Sequence, residues 1–208
     1  VAVPGSAEPV DDGAGHLGEQ LVLDLVAAAL ERGPGLGDVL KGIEAAKKAG
    51  LNPVKINMVV IRGTNDDEIP HFALLTLGDA WHVRFIEFMP FIESDRKNRH
   101  LVPVSEIMER IEALGKLEPS LPNGLGPAKY YRFHGAKGTI GFISPVTECF
   151  CQACNRMRLT ADGKLRPCLF SDDEIDLRGL LRQGAGVEEL KSMIRQAVAS
   201  KPERHKLM

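Results

Sequence analysis

Three cysteines near the C-terminus constrain this chain more than any other feature of its sequence. Cys151, Cys154 and Cys168 form the pattern C-x2-C-x13-C. A C-x-x-C pair lets two thiolates reach one metal centre from a single tight turn, and Cys168 returns to that centre after a short hairpin. Three thiolates leave one coordination position open, which is where a metal site binds a ligand or performs chemistry. The pattern therefore predicts a metal site with an open position.

The spacing alone does not decide which metal is bound. Cys149 offers a fourth thiolate, and four protein ligands are typical of structural zinc. However, only Phe150 separates Cys149 from Cys151, and two thiols without a turn between them are not the usual ligand spacing. Three thiolates and one free iron suit a [4Fe-4S] cluster. Iron–sulfur, structural zinc and no metal are the alternatives, and the spacing favours iron–sulfur.

Charge and cysteine distribution narrow the class of protein. All four cysteines lie within 20 residues of one another, whereas a disulfide framework would spread them to join distant segments. No signal peptide is visible, so we expect a reducing compartment and a cytoplasmic location. A net charge of −2 over 208 residues gives no broad footprint for nucleic acid or an anionic membrane, and we expect neither as a partner. Anion binding must come from a local basic cluster.

The apolar pattern predicts an α/β fold. Segments 53–61 and 81–89 read as strands, the first buried on both faces of a parallel sheet. Helices over 18–32 and 38–49 and a helix ending near residue 77 alternate with them, which argues for βαβ units. The remaining predictions are a charged surface loop over 92–100, a helix over 104–114, a linker over 119–127, antiparallel strands over 130–134 and 138–143, a hairpin across 156–169, and helices over 174–182 and 187–200.

Two arginines follow the cysteine pair. Arg156 and Arg158 are two residues apart, and side chains at i and i+2 of a strand point to the same face. Two adjacent guanidinium groups suit a phosphate chain, and Asn155 and Thr160 can add neutral hydrogen bonds. The alternative is a solvated basic face on an exposed hairpin. The neighbouring open metal position favours a ligand site.

Charged residues also interrupt the two predicted strands. Lys55 alternates with apolar positions, where a lysine is costly unless it is paired or lines a cavity, and Asn57 points the same way. Arg84 and Glu87 interrupt the second strand, and Met89 ends it. In α/β barrels, functional groups gather at the C-terminal ends of strands. The alternatives are an exposed Lys55 on an edge strand and a core role for Met89.

Four motifs, in order, carry a resemblance to a known family. They are PVKIN at 53–57, RGTNDDE at 62–68, RFIEFMP at 84–90, and NRMRLTADGKL at 155–165 after the cysteine pair. Together they resemble the molybdenum cofactor biosynthesis protein A family, the GTP 3′,8-cyclases, which are radical S-adenosylmethionine enzymes. The resemblance covers roughly residues 31–206.

The resemblance implies a fold and a division into domains. The implied fold is α/β, with a partial TIM-type barrel segment followed by an α+β C-terminal cluster-binding domain. The implied domains are a divergent, partly disordered N-terminal segment (1–30), a partial barrel of βα units (31–100) and a [4Fe-4S]- and GTP-binding domain (101–208). An open half barrel exposes strand edges, which favours a homodimer.

The resemblance also implies residue roles. Cys151, Cys154 and Cys168 would hold a [4Fe-4S] cluster whose free iron binds the guanine of GTP, and Cys149 drops out of the ligand set. Met89 would touch S-adenosylmethionine. A 5′-deoxyadenosyl radical would take the ribose 3′ hydrogen, and C3′ would attack C8 to give (8S)-3′,8-cyclo-7,8-dihydroguanosine 5′-triphosphate. No catalytic side chain is assigned. The implied GTP contacts are Lys55, Arg84, Arg156, Met157 and Arg158.

The sequence departs from the family in three places. The N-terminal C-x3-C-x2-C is absent, since no cysteine precedes Cys149. The glycine-rich segment that recognises the methionine amino group and the C-terminal Gly-Gly tail are also missing. We therefore expect a chain that holds the substrate half and does not catalyse the reaction alone. Two alternative functions are a GTP-binding iron–sulfur module without catalysis and a structural zinc-binding domain.

Overall fold

The computed structural model describes residues 35–51, 53–78, 80–90, 99–120 and 126–205. Contacts group these residues into two compact units, which are described separately: a first unit up to residue 87 with residues 102–143, and a second unit of residues 88–101 with 144–205. The predicted helix over 18–32 and most of the predicted loop over 92–100 lie outside the described residues. The domain boundary near residue 100 remains a prediction.

The first unit is a mixed sheet with helices. Its elements are α1 (Leu36–Lys48), β1 (Lys55–Val60), a 3-10 turn (Asp66–Glu68), α2 (Ile69–Gly78), β2 (His82–Glu87), α3 (Val104–Glu112), β3 (Leu117–Ser120), β4 (Lys129–Phe133) and β5 (Thr139–Ile143). The strand order is β1-β2-β5-β4-β3, with β1, β2 and β5 parallel and β3 and β4 antiparallel to their neighbours. The α/β class and the parallel pairing of the first two strands are confirmed.

Alternation along the strands creates one apolar face, on which α2 and α3 pack. Val60, Val83, Phe85, Ile140 and Phe142 are buried there. The prediction that β1 is buried on both faces is wrong: alternate residues from Lys55 to Val59 are exposed. The physical reason is position, because β1 lies at the edge of the described sheet and only its apolar face is covered.

A strand occupies part of the predicted linker. Leu117–Ser120 pairs antiparallel with β4, although Pro119 lies within it. Proline cannot donate to a sheet ladder and is therefore tolerated on outer strands, and β3 is one of the two outer strands of the described sheet. Residues 121–125 lie outside the described part. The start of the linker prediction is thus wrong, because the Pro-rich composition hid an edge strand.

The second unit contains short elements. They are a 3-10 turn (Cys151–Ala153), β6 (Arg158–Leu159), β7 (Lys164–Arg166), β8 (Ile175–Asp176), α4 (Leu177–Arg182) and α5 (Val187–Ala199). The order β6-β7-β8 is antiparallel throughout, and the predicted hairpin is confirmed. Its turn uses Gly163 at φ 81°, where a Cβ would lie 2.6 Å from the Cβ of Arg178. No helix in the described ranges has the length and apolarity to cross a bilayer.

A buried carboxylate fixes the start of α3. Glu87 has no exposed surface, and its Oε1 accepts a hydrogen bond from the backbone N–H of Val104 (3.0 Å). The first N–H groups of a helix lack partners within the helix. A negative charge near them is also stabilised by the partial positive charge at the N-terminal end of the helix dipole. Glu87 therefore links the end of β2 to the first turn of α3.

Replacing Glu87 with alanine should destabilise the protein by about 2–3 kcal/mol, because the substitution leaves a buried backbone donor without its charged acceptor. Urea denaturation monitored by circular dichroism would measure the loss. Glu112→Ala, at an exposed position of the same helix, is the matched control and should change stability by less than about 0.5 kcal/mol. Equal effects of the two substitutions would contradict the assigned role.

An ion-pair network joins the turn before α2 to α3. Glu106 binds both Arg62 (2.5 Å) and Arg110 (2.5 Å), and Arg110 also reaches Asp66 (3.2 Å). The hydrogen bond from Arg62 holds the pKa of Glu106 below its ordinary value; burial opposes this effect, and Arg110 adds to it. The carboxylate therefore stabilises the folded state while it is ionised.

The stability that Glu106 contributes should depend on pH. Since its folded pKa is depressed, the contribution is present above the unfolded value of about 4.3 and is lost as the pH falls toward the folded pKa. At neutral pH we expect Glu106→Gln to be less stable by about 0.5–1 kcal/mol. Thermal denaturation from pH 7 to pH 3 would show the two proteins converging on the acid side. A constant difference across this range would contradict the prediction.

Candidate metal centre

The C-x-x-C pair lies on one tight turn, as its spacing predicts. The backbone N–H of Cys154 donates to the carbonyl oxygen of Cys151 (3.1 Å), and that of Ala153 donates to the carbonyl oxygen of Phe150 (3.1 Å). All four cysteines of the chain are half-buried free thiols. The local backbone therefore presents two sulfurs from neighbouring positions of a single turn.

Three further side chains approach Cys151. The sulfur of Cys168, which follows β7, is close enough to interact electrostatically with that of Cys151. Among the residues that the structure describes, the donor atoms of Cys149, Cys151 and His205 all lie within 4.8 Å of one another. The ligand set Cys151, Cys154 and Cys168 stays a prediction, and His205 is a neighbour to which the sequence analysis gave no role.

Cys149 and Cys151 have opposite tendencies to ionise. Burial raises the pKa of the Cys149 thiol, but the backbone N–H of Cys151 and the guanidinium of Arg204 outweigh it, so the pKa is lowered. Burial raises the pKa of Cys151, and the nearby sulfurs of Cys149 and Cys168 raise it further against the backbone N–H of His205. Cys149 thus carries negative charge more readily than Cys151.

Lys201 fastens the cysteine turn to the end of α5. Its Nζ donates to the carbonyl oxygens of Cys154 (2.7 Å) and Arg156 (2.8 Å) and lies 3.4 Å from the Cys154 sulfur. Burial raises the pKa of the Cys154 thiol, but the backbone N–H of Arg156 and the ammonium of Lys201 lower it overall. The sequence analysis missed Lys201, because no pattern relates it to a turn 47 residues earlier.

The predicted basic pair lies directly after this turn. Arg156 and Arg158 have exposed side chains, and Met157 between them is half-buried. The strand β6 begins only at Arg158, so the alternation argument for a shared face does not extend to Arg156. Both guanidinium groups are nevertheless open to solvent within a few residues of the cysteine turn, where an anion can reach them.

In the first unit, four basic side chains lie on the side of the sheet opposite the core. We call this the cationic face and define it by Lys55, His82, Arg84 and Arg132. The register pairs Lys55 with His82 and sets Arg84 beside Gly141. Burial lowers the pKa of His82, and the charges of Lys55, Arg84 and Arg132 lower it further. Arg132 was missed by the sequence analysis, although its alternation with the buried Phe133 in β4 was a usable signal.

A glycine at the centre of the cationic face lets the side chains of Tyr130 and Arg84 pack closely over the sheet. A Cβ on Gly141 would lie 3.0 Å from the ring of Tyr130 and 3.2 Å from Cγ of Arg84. The Nε atom of half-buried Arg84 has no hydrogen-bond partner among the described residues. A buried donor of this kind is normally satisfied, and a bound anion would satisfy it. Two N–H groups of Arg132 donate hydrogen bonds to the Oγ of Ser120 (3.0 and 3.2 Å), which holds the side chain in place.

Lys55 and Met89 can also be placed. Lys55 is exposed on β1, which agrees with the edge-strand alternative. Met89 is half-buried two residues after the end of β2, in the second unit. Neither position by itself identifies a ligand, and their implied roles stay predictions.

Fold and site together define an α/β protein with a cysteine-based candidate metal centre and basic groups suited to an anion. Residues 81–207 match the family described as Molybdenum Cofactor Synthesis C. The chain therefore belongs to this family, which confirms the resemblance inferred from its motifs.

Curated relatives agree with this assignment. The chain is 50% identical over 184 residues to the GTP 3′,8-cyclase of Pelotomaculum thermopropionicum, covering 87% of this chain and 57% of the relative. It is 51% identical over 169 residues to that of Thermodesulfovibrio yellowstonii (81% and 52% covered) and 40% identical over 223 residues to that of Gloeobacter violaceus (98% and 69% covered). The chain spans about half the length of most of the curated relatives it matches.

Replacing Lys201 with methionine should loosen the cysteine turn, because two carbonyl oxygens lose a charged donor. We expect amide hydrogen exchange in residues 151–158 to accelerate by about tenfold or more. Lys191→Met is the matched control, since Lys191 lies on α5 and pairs only with exposed Glu188 in the contacts described (2.8 Å). Hydrogen-exchange mass spectrometry on both variants would test this, and equal protection of the turn in both would contradict it.

Proposed function

We propose that these residues supply the substrate-binding part of a GTP 3′,8-cyclase, an enzyme of molybdenum cofactor biosynthesis. The reaction converts GTP to (8S)-3′,8-cyclo-7,8-dihydroguanosine 5′-triphosphate by radical S-adenosylmethionine chemistry. The observation that carries the proposal is the similarity to GTP 3′,8-cyclases of at least 50% identity, which covers more than four-fifths of this chain. The candidate metal centre and the basic groups supply the chemistry that such a substrate requires.

The cysteines fit the cluster that the family implies. Cys151 and Cys154 share one turn, Cys168 approaches Cys151, and all three thiols are half-buried. Lys201 places a positive charge beside the Cys154 sulfur (3.4 Å), which favours the thiolate that a metal requires. When bound, a [4Fe-4S] cluster held by three thiolates offers one iron with an open position, to which a purine can coordinate.

The basic residues would bind the phosphates. Guanidinium groups recognise phosphate oxygens through paired N–H donors, and a triphosphate presents several such oxygens. Arg156 and Arg158 are exposed beside the cysteine turn, with Met157 between them. On the cationic face, Arg84 carries an unpaired buried Nε and Lys55 is exposed. We assign Lys55, Arg84, Arg156, Met157 and Arg158 to GTP binding. The contacts that support each assignment are those within the unit to which the residue belongs.

The finer description of the fold belongs to the same proposal. Parallel β1 and β2 with α2 between them are a βα unit of the kind that builds a TIM-type barrel. We propose that residues 31–100 form a partial barrel and that residues 101–208 form the cluster-binding domain. Met89, two residues after β2, would then contact S-adenosylmethionine at the carboxyl end of a barrel strand.

The proposal is tested first by cluster assembly and nucleotide binding. The protein would be reconstituted with iron and sulfide without oxygen, and the reduced cluster observed by electron paramagnetic resonance. We expect GTP, but not ATP, to change the spectrum, because guanine reaches the open iron position. Cys168→Ser should reduce iron content strongly. A colourless protein with stoichiometric zinc and no affinity for GTP would overturn the proposal.

Arginine variants test the phosphate contacts. Arg156→Ala and Arg158→Ala should each weaken GTP binding by about 10- to 100-fold, because each removes a charged hydrogen-bond donor. Lysine at either position should restore only part of the affinity, since it lacks the planar pair of donors. Arg195→Ala, at an exposed position of α5, is the control and should bind GTP normally. Anaerobic equilibrium dialysis gives the dissociation constants, and unchanged affinity in both alanine variants would contradict the assignment.

A further inference from the structure

A second group of metal-ligating side chains overlaps the predicted cluster ligands. Within the described part of the chain, donor atoms of Cys149, Cys151 and His205 lie within 4.8 Å of one another, and all three residues are half-buried. Cys149 and His205 have no role in the proposed cyclase function. Their approach to Cys151 therefore requires a separate explanation.

His205 is held in an orientation that suits a metal ligand. Its Nε2 lies 2.7 Å from the carbonyl oxygen of Pro145, and its ring packs against that of Phe170 with centroids 5.0 Å apart. A carbonyl oxygen only accepts hydrogen bonds, so Nε2 carries a proton, and Nδ1 is the ring nitrogen through which His205 would bind a metal. Metal-binding histidines commonly donate their other N–H to a backbone carbonyl in this way.

Cys149 is equally well prepared as a ligand. Its sulfur receives hydrogen bonds from the backbone N–H of Cys151 and from the side chain of Arg204. The backbone N–H of His205 in turn donates to the sulfur of Cys151. The segment that carries Arg204 and His205 is thus bound to both thiols, and donors of the kind that stabilise thiolates already surround them.

We propose that Cys149, Cys151 and His205 bind one soft divalent cation, Zn²⁺ in the first place, with two thiolates, one imidazole and a fourth position for water. Tetrahedral zinc with these ligands places its donor atoms about 3.5–3.8 Å apart. Because the donor atoms all lie within 4.8 Å of one another, the closure needed to reach this geometry is at most about 1 Å. On binding, each thiol gives its proton to solvent, and the two thiolates balance the charge of the cation.

The shared thiolate has a consequence for the iron site. Cys151 belongs both to this group and to the proposed cluster ligands, and this step rests on the proposed function. One thiolate held at a zinc ion is not available to complete a three-cysteine cluster site. Zinc occupancy and cluster assembly therefore exclude each other, and Cys149 makes the competition possible.

Cobalt titration tests the site directly. The reduced 208-residue chain without metal would be titrated with Co²⁺ in the absence of oxygen, and the near-ultraviolet sulfur-to-cobalt charge-transfer band recorded. We expect one equivalent to bind, Zn²⁺ to displace it, and Cys149→Ser and His205→Ala each to weaken binding by about tenfold or more. Cys154→Ser and Cys168→Ser are the matched controls and should keep the band.

Two outcomes would overturn the proposed site. One is unchanged cobalt affinity in Cys149→Ser and His205→Ala; the other is loss of the band in Cys154→Ser or Cys168→Ser, which would place the ion on the three-cysteine set. Circular dichroism of each variant and a second substitution, His205→Gln, separate a lost ligand from a lost fold. If a variant does not fold, the melting temperature of the parent chain is measured with and without Zn²⁺ instead. No increase in that melting temperature at saturating Zn²⁺ would also contradict the site.

Iron uptake tests the competition separately. Prior loading with Zn²⁺ should lower iron incorporation into the parent chain and have a much smaller effect on Cys149→Ser. Equal inhibition of both proteins would overturn the competition. If Cys149→Ser keeps normal iron content and GTP binding but loses cobalt binding, both sites are supported. If no protein binds GTP, the result counts against the cyclase function alone.

Discussion

The register of the three parallel strands governs both the core and the cationic face of the first unit. The register pairs Asn57 with Arg84 and Arg84 with Gly141. As a result, Met58 and Phe85 lie on the side of the sheet that α2 and α3 cover. The same pairing collects lysine, histidine and arginine side chains on the other side. A slip of one residue would exchange the two sets and bury the charges. Burial of the core residues therefore also determines which basic groups share a surface.

The second unit relies on a different kind of stabilisation. Its buried apolar side chains include Val146, Leu165 and Ala197, and its strands have two or three residues. Hydrogen bonds from side chains to the backbone compensate for this small apolar core. Lys201 binds the cysteine turn, and His205 binds the Pro145 carbonyl. A bound metal would add to these links, because binding to the folded state alone stabilises that state.

The sequence predicted the features that depend on local spacing. The C-x-x-C turn, the hairpin after it and the parallel pair β1–β2 follow from residue type and periodicity, and the structure has them. The positions of Lys201 and His205 did not follow, because their contacts join segments 47 and 60 residues apart. Burial of β1 was also misjudged, since an apolar run does not show whether a strand is central or outermost.

The two ends of the five-stranded sheet differ in their capacity to accept another strand. At one end β3 has four residues, including Pro119, which lacks a backbone N–H. At the other end β1 offers six residues without proline. Backbone groups left without partners along an outer strand can pair with an additional one, and a proline interrupts that row. An additional segment would therefore pair more readily with β1 than with β3.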